Sequence, residues 1–105
     1  MVKKRYQLIW TEKAVSSLKE IFHYISKDST GRAKKVVLGI KTTADVLTDY
    51  PWMYRSDEFY QPASENVRRF IKWRYRVVYE VDEKNKTIVV LNIFHAGINP
   101  EKIKK

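Results

Sequence analysis

The sequence predicts an α+β domain with the element order β-α-α-β-β-β, an antiparallel sheet covered on one face by an N-terminal helical hairpin. Three observations carry this prediction. Apolar residues recur at helical spacing between residues 12 and 48. They alternate at strand spacing before residue 11 and again after residue 66. The helical and extended patterns are segregated along the chain rather than interleaved, which separates α+β from α/β.

Tyr6, Leu8 and Trp10 share one face of an opening strand. Thr11 follows as a helix N-cap, with Glu12 in the first turn where a negative charge is favourable. Ala14, Leu18, Ile21, Phe22 and Ile25 then mark an amphipathic helix through Lys27. The run Asp28-Ser29-Thr30-Gly31 breaks it. A second helix starts near Thr30 and runs to Thr48 with Val36, Val37, Ile40, Ala44 and Leu47 inward, and Pro51 prevents its continuation beyond Tyr50. So short a connection predicts an antiparallel helical pair.

Residues 51–65 read as a loop, carrying Pro51, Ser56, Asp57, Pro62 and Ser64 and pinned to the body by Trp52, Tyr54, Phe59 and Tyr60. Val67 to Lys72 and Tyr75 to Val81 follow as strands, with Tyr75, Val77, Tyr79 and Val81 on one face. Asp82 to Lys86 is a polar hairpin turn, and Thr87 to Phe94 is apolar enough to be a central strand. From His95 the chain leaves the sheet, and residues 96–105 read as a loose C-terminal tail. The sheet face away from the helices is left partly open, and function is expected there.

A chain of 105 residues is one domain, spanning residues 1–105. Lys and Arg number 21 against 12 Asp and Glu, and the resulting net charge of +9 points to a polyanionic partner such as nucleic acid, ribosome or an acidic protein. The absence of Cys excludes a disulfide framework, a thiol nucleophile and Cys-ligated zinc. His23 and His95 are far apart in sequence with no cluster of carboxylates around either, so no metal site is expected. No glycine-rich phosphate loop, His-Glu-x-x-His motif or nucleophile elbow is present, and no cofactor is expected. No apolar run approaches the ~20 residues of a membrane span. The basic start Met1-Val2-Lys3-Lys4-Arg5 is interrupted by Gln7 and Glu12, unlike a signal peptide, so the expected location is cytoplasmic.

The densest chemical feature is Val67-Arg68-Arg69-Phe70-Ile71-Lys72-Trp73-Arg74-Tyr75-Arg76, where cations and aromatics interleave over two strands. Alternation sends Arg69 to one face and Arg68 with Lys72 to the other, while Arg76 points away from Tyr75, Val77 and Tyr79. Such guanidinium groups can hold phosphates and stack on bases, or simply cover apolar area with their stems on a solvated sheet edge. His95, at a strand end, is the residue best suited to general acid or base work at neutral pH, unless it only caps the sheet. His23 reads as plain surface. Tyr75 and Tyr79 can donate protons or stack, or be core.

These residues resemble a known family. The opening Tyr6-x-Leu8-x-Trp10-Thr11-x-x-Ala14-x-x-x-Leu18-x-x-Ile21-x-x-Tyr24-Ile25 is similar to the start of RelE/ParE-type toxins of bacterial toxin–antitoxin systems. The resemblance runs on through Ala33, Leu47 and Pro51 to Val67-Arg68, to Tyr75-Arg76-Val77-Val78-Tyr79-x-Val81, and to Ile88-x-Val90-Leu91-x-Ile93-x-His95. It implies a toxin of a type II, plasmid-stabilising system, neutralised by a cognate antitoxin that wraps its basic surface, with operator DNA bound only through the antitoxin complex. ParE-like members inhibit DNA gyrase, the activity favoured here. RelE-like members are metal-independent endoribonucleases that cut mRNA on the ribosome, and a non-toxic nucleic-acid-binding module is a further alternative. Under the nuclease reading, Arg76 would stabilise the phosphorane charge, with His95 and Tyr79 as further catalytic candidates and Arg68, Arg69, Lys72 and Arg74 binding the target. Many nuclease members carry Arg, Lys or Tyr after the position of His95, where this chain has Ala96-Gly97-Ile98-Asn99-Pro100.

Overall fold

The computed structural model describes residues 6–60 and 64–95, so the predicted tail at 96–105 lies outside the described residues. Thr11 and Ser29, in extended conformation, start the two helices as N-caps. The Thr11 Oγ1 accepts from the Ala14 amide at 3.1 Å, and the Ser29 Oγ accepts from the Arg32 amide at 3.1 Å. Helix α1 (Glu12–Ser26) buries Ala14, Leu18 and Ile25, and α2 (Thr30–Val46) buries Ala33, Ile40 and Ala44. Both therefore present the apolar stripes that the sequence spacing requires.

The strands are β1 (Gln7–Trp10), β2 (Val67–Lys72), β3 (Tyr75–Asp82) and β4 (Thr87–His95), in the sheet order β1-β4-β3-β2. The apolar β4 is central, as its composition predicts, and it runs one residue further than expected, keeping His95 in the sheet. β3 is antiparallel to both β2 and β4, but β1 is parallel to β4, with Leu8 opposite Ile88 and Trp10 opposite Val90. The sheet is thus mixed, which corrects the expectation of an antiparallel one. Short turns fix the direction of β2, β3 and β4, whereas two helices separate β1 from the rest and give the chain enough length for a parallel return.

Core residues Ala14 and Leu18 of α1 and Ile40 and Ala44 of α2 pack with Phe70, Val77, Tyr79, Ile88 and Val90 on one face of the sheet. α1 and α2 also contact each other, with α1 lying on β4 and α2 reaching β2. The ladder between β3 and β4 shifts register after Val78, which opposes Asn92 while Tyr79 opposes Val90, so Leu91 is the extra residue of a bulge. Thr11 fills the gap: its Oγ1 lies 3.0 Å from the Val90 carbonyl and 2.9 Å from that of Leu91, able to donate to either. The helix cap and the sheet irregularity are one device.

Residues 51–60 wrap the β2 edge. Tyr54 packs on Phe70 on the helix side, with ring centroids 5.7 Å apart, and Tyr60 lies 6.5 Å from Phe94. Between them the Asp57 amide donates to the Val67 carbonyl at 2.9 Å and the Arg69 amide to that of Arg55 at 3.2 Å. The face expected to be open is in this way partly roofed. At the far end of the β2–β3 hairpin the two-residue turn is Trp73-Arg74, and Trp73 has φ of +56°. A left-handed position there normally takes Gly or Asn and costs another residue roughly 1–2 kcal/mol.

Candidate functional site

The structure separates the basic residues of β2 and β3 into three groups. Arg76 is buried on the face away from the helices, where its guanidinium pairs with the fully sealed carboxylate of Asp57. It also lies over the rings of Phe94 at 4.8 Å and Phe59 at 5.8 Å. Arg69, on the same face, donates to the Ser56 carbonyl at 3.0 Å and stands 3.7 Å from the Asp57 carboxylate. The remaining Asp57 oxygen accepts from the Tyr60 amide at 2.8 Å. This group ties the loop to the sheet.

Arg68 forms the second group on the helix face. Its Nη1 donates to the Tyr54 carbonyl at 2.6 Å, and its guanidinium covers Trp52 at 4.6 Å from the ring centre. Tyr79, opposite Arg68 in the ladder, is wholly buried, with its hydroxyl donating to the Pro51 carbonyl at 3.3 Å. Burial pushes that phenol well above its ordinary value, the nearby Arg68 charge opposing only in part. Tyr79 and Arg76 were both catalytic candidates on sequence grounds, and neither presents its polar end to solvent.

The third group lines an open cleft of 530 Å³ where the helices' connected ends meet the β2–β3 turn. Its cations are Arg32 and Lys35 of α2 and Arg74 of the turn, its rings are Tyr24, Trp73, Tyr75 and His95, and among the described residues no carboxylate lines it. His95 faces Tyr75 across the ladder and meets it edge to face at 5.6 Å. Tyr24, Tyr75 and His95 also line a neighbouring cleft of 530 Å³ that contains Ser17 and Glu20, so these rings form a shared wall. Lys72 leans over the Trp73 ring at 4.9 Å.

Of the seven residues singled out from the sequence, Arg74 and His95 thus come together, Lys72 stands beside them through Trp73, and Arg68, Arg69, Arg76 and Tyr79 lie elsewhere. Arg32, Lys35 and Tyr24 were not among them. The three-residue spacing of Arg32 and Lys35 puts them on one side of α2, next to the end of α1 that carries Tyr24, and that spacing was the available signal.

Two helices packed on a mixed sheet, with β1 at the edge parallel to β4, make up the fold, which is that of the RelE/ParE superfamily of toxins. The chromosomal ParDE TA system from P. aeruginosa shares this fold with a TM-score of 0.68 at 24% identity, over 87% of this chain and 96% of that one. The toxin–antitoxin complex RelBE2 from Mycobacterium tuberculosis shares it with a TM-score of 0.65 at 17% identity, over 87% and 98%. In sequence, the toxin RelE2 of Caulobacter vibrioides is 40% identical over 45 residues, 43% of this chain and 51% of its own. The chain spans about half the length of the curated relatives it matches. The family model of the ParE toxin of the type II toxin–antitoxin system parDE matches residues 8–100, and the chain belongs to that family.

Proposed function

We propose that the chain is the toxin of a type II toxin–antitoxin pair and arrests growth in the cytoplasm by binding DNA gyrase, without cutting RNA. The observation that carries this reading is the Arg76–Asp57 pair. A phosphoryl-transfer site needs a cation free to meet the developing negative charge, and here the arginine best placed by sequence is buried and committed to a carboxylate. The partner that neutralises the toxin would be an antitoxin segment with an acidic, amphipathic face. A groove on the helix pair suits it: Trp10, Val15, Leu18, Phe22 and Val37 give an apolar floor, and Lys19 and Lys41 stand at its sides.

The RelE-like alternative keeps one observation in its favour, the cleft in which His95 stands beside cationic side chains. The two readings separate in parallel assays with the purified chain. Gyrase inhibition predicts that supercoiling of relaxed plasmid is blocked while mRNA on translating ribosomes stays intact, and that His95→Ala leaves the block in place. Cleaved message together with unimpaired supercoiling would overturn the gyrase reading and make His95 the first residue to pursue.

A further inference from the structure

We propose that the cleft between Tyr24, Arg32, Lys35, Trp73 and Arg74 is a nucleotide-binding site, taking an unstacked base against its rings and a phosphate on its cations. This goes beyond the proposed mode of action and does not depend on it. Charge comes first. Three cationic side chains line one cavity, and among the described residues no carboxylate lines it and none of the three is in an ion pair. Such an arrangement is relieved by an anion, and its volume of 530 Å³ lies within the roughly 300–1,000 Å³ usual for small-molecule sites.

Two rings of the cleft are exposed as well. Tyr24 and Trp73 keep 71% and 52% of their surface exposed, whereas the rings of Phe70 and Tyr79 are packed away. An exposed aromatic beside a guanidinium is the surface on which a base stacks. Only an unpaired, unstacked base offers its face to such a ring, so a single strand or a free nucleotide fits and a duplex does not.

Two elements give up local preference to place Trp73. Its backbone occupies a left-handed turn position that Gly or Asn would hold without strain. Opposite it, Gly39 in α2 has no side chain where a methyl group would stand 2.7 Å from the Trp73 Cζ3 and closer still to Cη2. The hairpin tip and the helix each give up a locally better residue, and together they seat one indole at the cleft. Packing alone does not account for a ring left half exposed.

The test is fluorescence anisotropy of the full chain with labelled RNA and DNA single strands of about ten nucleotides, and with their duplex, at about 100 mM salt. Single strands are expected to bind more tightly than the duplex. Arg32→Gln with Arg74→Gln should weaken binding about tenfold, while Lys19→Gln with Lys41→Gln, which removes the same charge from the helix groove, should change it less than about threefold. Gly39→Ala, which displaces the indole and leaves the charge alone, should weaken binding about fivefold or more, and Trp73→Leu should match it. Adenosine monophosphate that displaces the strand at millimolar concentration identifies a single nucleotide as the ligand; displacement by oligonucleotides alone identifies a strand. Equal losses in the two charge variants, tighter duplex binding, no binding of any probe, or displacement by polyglutamate as effective as by nucleotides would each overturn the proposal.

Discussion

Asp57 and Arg76 form an ion pair sealed from water, their side chains 0% and 6% exposed, which joins a loop to the strand that it roofs. Isolated, either charge would be costly to bury; together they fix where residues 55–60 cross the β2 edge. Asp57→Asn leaves the Arg76 charge without its counter-ion, and a loss of about 3–5 kcal/mol is expected in urea unfolding at neutral pH. Asp57→Leu with Arg76→Met removes both charges and should lose less than either single change. A single change that costs under about 1 kcal/mol would place the pair at the surface in solution. Growth arrest lost in an Arg76 variant must accordingly be read beside its unfolding curve.

Thr11 joins the start of α1 to the bulge in β4, accepting from the Ala14 amide while its hydroxyl reaches the carbonyls on either side of the shift. Thr11→Val keeps the shape and the β-branch and removes all of this, so a loss of about 1–2 kcal/mol in thermal or chemical unfolding is expected. Thr11→Ser retains the oxygen and should recover most of it. A Val variant as stable as the parent, with the loss confined to Ser, would mean that the methyl group, not the hydroxyl, matters at this position.

The pH dependence expected of Tyr79 follows from its burial. Its phenol is raised from the ordinary 10.0 in the folded state, while in the unfolded chain it ionises near that value. The folded state therefore holds its proton longer, so the stability it contributes is complete below pH about 10 and is lost as pH rises from there toward the folded value. Tyr79→Phe should flatten this part of the alkaline unfolding profile relative to the parent chain. At neutral pH it should cost about 1 kcal/mol for the lost bond to the Pro51 carbonyl. Parallel profiles for the two proteins would show that other groups govern alkaline unfolding.

Much of this architecture was legible in the residues. The spacing of Ala14, Leu18 and Ile25 and of Ile40 and Ala44 reports helix faces directly, and the apolar run of β4, broken only by Asn92, reports a strand flanked on both sides. The direction of β1 was not legible, because alternation marks a strand and its faces but carries nothing about which neighbour it joins. The site was harder still. Arginines that alternate along β2 and β3 look alike in sequence, yet Asp57, from a loop without periodicity, commits one of them and draws a second close. The cleft draws on α1, α2, the β2–β3 turn and the end of β4. Only the fold brings those places together.

Gly39 and Trp73 offer a stability test of the same tertiary contact, independent of any ligand. In an exposed helix interior Ala is favoured over Gly by about 1 kcal/mol, so Gly39→Ala would be stabilising if α2 stood alone. Here the new methyl group meets the edge of the Trp73 ring, and either the ring leaves or the hairpin tip shifts. Gly39→Ala is therefore expected to destabilise the chain, with a change in the near-ultraviolet dichroism of the indole. Trp73→Asn removes the obstacle and suits the left-handed backbone. In that background the same Gly39→Ala change should become stabilising by about 1 kcal/mol, so that the two substitutions together differ from their sum. A Gly39→Ala effect of the same sign and size in both backgrounds would mean that the indole does not rest on α2 in solution, and the shape of the cleft would have to be redrawn with it.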